Sequence, residues 1–67
     1  MRLYIVQSTE TGCFLVPDDG FVSWTLSLRR ALETALVDYE TACELCRDHA
    51  DHAEVVFVRE VPYEASI

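Results

Sequence analysis

The chain has 67 residues, enough for one domain spanning 1–67 and too few for a second. Twelve acids stand against five arginines with no lysine, a formal charge of −7 that disfavours direct binding to nucleic acid or to anionic membranes. A hydrophobic fraction of 51% argues against disorder, and in so small a body it leaves apolar side chains outside, so a homodimer is an expectation.

In chain order, Arg2–Gln7 alternates Leu3 and Ile5 with Arg2, Tyr4 and Val6 and reads as a strand. Ser8–Gly12 is a turn, with Gly12 free to take positive φ. Cys13–Val16 returns as a second strand stopped by Pro17, and Pro17–Gly20 is a second turn. Phe21–Trp24 adds a short third strand or caps the sheet with aromatics, and Phe14, Phe21 and Trp24 are core candidates.

Ser27 is a good N-cap, and from Leu28 the period changes. Leu28, Leu32, Ala35, Tyr39, Ala42, Cys43, Cys46 and Ala50 draw one apolar stripe at helical spacing. That helix either runs unbroken to about His49 or breaks at Val37–Asp38, with Asp38 capping a second helix. Ala50–Ala53 leads back to Glu54–Val61, whose Val55–Val58 is apolar on both faces and reads as a central strand. Pro62 ends it, and 63–67 read as a frayed tail. The fold class is therefore α+β: an antiparallel sheet of three to four strands in β-β-α-β order, packed by one long or two short helices in a single layer. Leu32 and Phe57 are expected in the core between sheet and helix.

Three cysteines, an odd number, argue against a disulfide framework, and Met1–Val6 turns polar too soon for a signal peptide. No run approaches the roughly 20 apolar residues of a membrane helix, so a cytoplasmic location is the expectation. Cys43, Cys46, His49 and His52 have the residue types of a zinc site in C-x2-C-x2-H-x2-H spacing. On one helix, however, each step of three falls about 60° short of a turn, and the outer pair lie about 13 Å apart along the axis. Four ligands so placed do not converge on one ion, so no metal and no cofactor is expected. A small metal- or thiol-dependent module remains the alternative. An active C-x-x-C pair belongs at a helix N-terminus, whereas Cys43 and Cys46 fall late on the apolar stripe and read as small buried hydrophobes. With two glycines there is no phosphate-cradling loop, and neither histidine is framed by a motif, so no catalytic residue is assigned.

Between Asp38 and Glu54 six acids face the single base Arg47. Glu40, Glu44, Asp48 and Asp51 step by four, four and three, which on a helix makes one negative ridge. Such a ridge is either a solvated outer face or a docking surface for a basic protein. Arg29 and Arg30 sit in a first helical turn, where the dipole disfavours cations. They pair with Glu33 or the Asp18–Asp19 turn, or they contact a partner.

Tyr4-Ile5-Val6, Thr11-Gly12, Phe14-Leu15, Trp24-Thr25, Leu28, Ala31 and Tyr39-Glu40-Thr41-Ala42 together resemble a pattern in small phage and prophage proteins. In those chains a tight hairpin, a tryptophan-threonine and an alanine-bearing helix precede a last valine-rich strand. Short acidic proteins of this kind include anti-CRISPR proteins, which occupy the basic channels or subunits of bacterial immune complexes. The resemblance carries no catalytic residues. It implies a non-enzymatic inhibitor in a bacterial cytoplasm whose partner is a basic protein surface, such as a CRISPR-Cas effector complex.

Overall fold

Two turns fold the first 25 residues into a three-stranded meander. In a computed structural model describing residues 1–62, β1 (Arg2–Ser8), β2 (Phe14–Asp18) and β3 (Phe21–Thr25) precede α1 (Leu28–Thr34), α2 (Tyr39–His49) and β4 (Ala53–Glu60). The tail expected at 63–67 lies outside the described residues. The first turn closes through the Gly12 N–H on the Ser8 carbonyl (3.1 Å), with Gly12 at φ 79°. The Ser8 hydroxyl oxygen accepts from the Glu10 and Thr11 N–H groups, both at 3.1 Å. The second turn is the two-residue Asp19-Gly20, both at positive φ as a twisted hairpin requires. Pro17 does not stop β2, which continues through it to Asp18.

The sheet is antiparallel, in the order β3-β2-β1-β4. Along the chain the expected β-β-α-β order gains the third strand and a second helix. β4 is thus an edge strand and not a central one. It pairs with β1 along its length, from Ser8 opposite Ala53 to Arg2 opposite Glu60, with one irregularity between Leu3 and Tyr4.

Side chains alternate across a strand, and the core divides along that alternation. Ile5, Phe14 and Val16, with Val56 and Val58, pack under Ala31 and Ala35 of α1. Val6, Leu15 and Val55 point the other way and pack under Ala42, Leu45 and Cys46 of α2. The two helices therefore lie on opposite faces, giving three layers instead of the expected single helical layer. This is why Val55–Val58 is apolar on both sides although it lies at the edge: Val56 and Val58 pack into the Ile5 cluster and Val55 into the Val6 cluster.

The chain crosses from one face to the other through a split in the sheet. β1 and β2 pair where Gln7 meets Phe14, but carrying that register onward would set Tyr4 opposite Pro17. A proline has no N–H to return to the Tyr4 carbonyl. Val37 fills the place: its N–H donates to the Tyr4 carbonyl (3.0 Å), and the Tyr4 N–H donates to the Val37 carbonyl (2.8 Å). Leu36 packs on the α1 side and Val37 on the α2 side, so the crossing takes a single residue step.

The helix division falls at this crossing. Ser27 caps α1 by accepting from the Arg30 N–H, and Asp38 caps α2 by accepting from the Thr41 N–H (3.0 Å). Hydrogen bonds from the Thr41 side chain and backbone hold the Asp38 carboxyl below its ordinary value. Of the two readings of the helix, the break at Val37–Asp38 is the one the structure shows, and the single stripe gives way with it. α1 buries Ala31 and Ala35, while Leu28 stands exposed and Leu32 is 36% exposed on the flank. Alanines let the short helix approach the sheet closely, which pushes its leucines to the side. Phe57 is 53% exposed because it sits on the edge strand, where it meets Tyr4 edge-on at 5.6 Å. Phe21, at the tip of the β2–β3 hairpin, is 80% exposed and is not a core residue, whereas Phe14 is buried.

Candidate functional site

α2 lies on one outer layer, and its carboxylates face solvent. Glu40, Glu44 and Asp48 are exposed and spaced by four, so they form a line along the helix with about 6 Å of rise between neighbours. Asp51 is not part of that line. The helix ends at His49 with Ala50 as C-cap, so Asp51 falls in the following bend. Arg47 stands beside the row, with its guanidinium 3.9 Å from Asp48. Glu40 in the first turn and Arg47 in the last both suit the helix dipole, which offsets part of the repulsion between the carboxylates.

Arg29 and Arg30 belong to α1, on the opposite face of the sheet. Arg29 reaches Glu33 one turn on, at 3.4 Å, and both side chains are largely exposed. A pair so exposed contributes little stability and leaves Arg29 free to exchange partners. The residues picked out in the sequence for partner binding therefore divide into an acidic row on α2 and a basic pair on α1. One flat partner surface does not reach both.

The four residues of the zinc-like spacing also separate. Cys46 packs among Val6, Leu15 and Ala42, and burial, with Cys43 beside it, pushes its thiol up. A raised thiol is the reverse of what a redox pair needs. Cys43 lies beside Tyr39 and pushes its phenol up. His49, the last residue of α2, and His52, past its end, are both exposed, and among the described residues no group of three or more His, Cys, Asp or Glu is placed to hold a metal ion. Purified protein should accordingly contain no stoichiometric zinc, and EDTA should leave its Tm unchanged. One zinc per chain, lost together with the fold on chelation, would overturn this reading of the cysteines.

The sequence pattern did not reveal what the histidines do share. They line an open cleft of about 390 Å3 where the first hairpin turn meets the end of α2, together with Glu10, Cys13, Trp24 and Asp51. The Thr9 N–H donates to the His52 carbonyl (2.9 Å) and ties the two loops together, and His52 Nε2 lies 4.0 Å from Glu10 Oε2. Trp24 is 40% exposed here, on the side of β3 that faces α2 and away from the arginine pair. The residues come from three separate stretches of chain, 8–13, Trp24 and 49–52, so no local motif announces them.

A smaller, apolar cleft of about 150 Å3 opens at the sheet split, between Leu15, Pro17, Val22, Ala35, Val37 and Leu45. Among the described residues no helix is long and apolar enough to cross a membrane. No family model matches the chain, no curated protein matches it, and no solved structure matches it.

Proposed function

We propose that this protein is a small acidic binding module, without catalytic activity, that docks the outer face of α2 on a basic protein surface in a bacterial cytoplasm. The observation that carries this reading is the exposed row of Glu40, Glu44 and Asp48 on a helix held rigidly against the sheet by Ala42, Leu45 and Cys46. Its carboxylates repeat at a spacing comparable to that of phosphates along a nucleic acid strand. A protein that binds nucleic acid through arginines and lysines therefore offers a complementary surface. Together with the resemblance to phage and prophage proteins of the anti-CRISPR type, this makes a CRISPR-Cas effector complex the partner to test. Arg29 and Arg30, on the opposite layer, would serve a second contact.

The test is the association rate of the parent and of a Glu44→Lys, Asp48→Lys variant with such a complex, at low and at high salt. Both side chains are exposed, so the variant should keep the parent's folding transition. Its association should slow by about tenfold or more at low salt, and the difference should shrink at high salt, where screening already removes steering. The parent should also displace nucleic acid from the complex, and the variant should do so poorly. Equal rates at both salts would remove the α2 row from the mechanism. A second reading, a structural homodimer, is favoured by the exposure of Phe21, Leu26 and Phe57, which self-association would cover.

A further inference from the structure

The cleft beside Trp24 has the chemistry of a receptor for a single cationic side chain, and we propose that it takes an arginine of the partner. This deepens the docking reading and rests on it for the identity of the partner. Three features point the same way. Glu10 and Asp51 bring two carboxylates to the cleft from opposite walls, one from the hairpin turn and one from the bend after α2. The C-terminal end of α2 opens onto it at His49 and Ala50, and that end of a helix carries the negative pole of its dipole. Trp24 forms an aromatic wall, partly exposed, and among the described residues no arginine lines the cleft.

Arginine fits this set better than lysine. A planar guanidinium stacks on an indole face while its fork of N–H donors reaches carboxylates at the rim, whereas an ammonium satisfies only one of these demands at a time. A volume of about 390 Å3 holds the side chain and leaves room for water. The backbone bond from Thr9 to His52 keeps the two carboxylate-bearing loops at a fixed distance, so the site does not have to assemble around its ligand.

Trp24 is the only tryptophan in the chain, so its fluorescence reports on this cleft alone. The probe is an acetylated, amidated Gly-Arg-Gly peptide at low salt, compared with the same peptide carrying citrulline, which keeps the shape of arginine and lacks its charge, and with the lysine peptide. The arginine peptide should give a saturating change in Trp24 emission. The citrulline peptide should bind at least about tenfold more weakly, the factor that one lost charge-assisted hydrogen bond carries, and lysine should fall between. A Glu10→Gln, Asp51→Asn variant, whose two exposed side chains hold no core contact, should lose the same factor for arginine while keeping the parent's melting curve. Equal responses to arginine and citrulline, or no response to either, would overturn the proposal. In that case the Glu44→Lys, Asp48→Lys experiment still stands, because neither residue lines this cleft. Conversely, a saturating arginine response beside unchanged association rates would keep the cleft and discard the α2 row.

Discussion

Ile5→Ala should remove about half of the protein's folding stability. Ile5 is 2% exposed, in the strand flanked by both β2 and β4, and it packs with Phe14, Val16, Ala31 and Ala35. Removing a buried isoleucine down to alanine costs about 2–5 kcal/mol, while a domain of this size has roughly 3–10 kcal/mol in total. The midpoint of urea unfolding, followed by circular dichroism, measures the change. Phe57→Ala is the control. Half of that ring is already in water, so its loss should cost about 1–2 kcal/mol, well under the figure for a fully buried phenylalanine. A Phe57 variant as unstable as the Ile5 variant would mean that the edge position of β4 is wrong.

Val37→Pro should be nearly as damaging, for a reason unrelated to side-chain size. The Val37 N–H is the donor that satisfies the Tyr4 carbonyl at the place where Pro17 cannot. A second proline there leaves that carbonyl without its partner, at a cost of about 1–3 kcal/mol before any strain in the crossing is counted. Val37→Ala keeps both backbone bonds and loses only two methyl groups from a half-buried position, so it should be milder by urea midpoint. If alanine were the worse of the two, the side chain and not the backbone pairing would be what anchors the crossing.

Elements with local causes were legible in the sequence. Gly12 and Gly20 marked the turns, Ser27 and Asp38 marked the caps, and each lies where its φ or its side-chain hydrogen bond needs it. What the sequence hid was relational. Nothing in the apolar run Val55–Val58 distinguishes a central strand from an edge strand packed on both faces, since the three valines pack inward in either case and only Phe57 differs. The spacing from Leu28 to Ala50 fits one stripe as well as two helices on opposite faces, since Leu36 and Val37 can hand the chain across without breaking the count. Pro17 held the clue. It read as a stop, which β2 runs through, and its real consequence appears only once Tyr4 is set opposite it.

The candidate site followed the same rule. The row of Glu40, Glu44 and Asp48 could be drawn from spacing because a helix converts spacing into position. Asp51 was counted into the row by spacing alone, although Ala50–Ala53 already read as the connection after the helix, which is where the structure puts it. The Trp24 cleft could not be drawn at all, since Glu10, Trp24 and Asp51 meet only through the pairing of β1 with β4 and of β2 with β3.

That pairing also governs when the protein can exist during its own synthesis. β1 is made first of the six elements and β4 last, yet β1 finds most of its partners there, having left β2 after a single paired position. Until β4 clears the ribosome, β1 remains a strand with most of both edges unpaired, and α2 has little to lie on. The β2–β3 hairpin and α1 can form early from local contacts, but the acidic face cannot, because Val6 and Val55 of its platform come together only when β1 pairs with β4. Folding should therefore be a late, single event of high contact order, slow for so short a chain. A chain cut short before Ala53 would carry every residue of the acidic row and lack the strand that completes the surface beneath it.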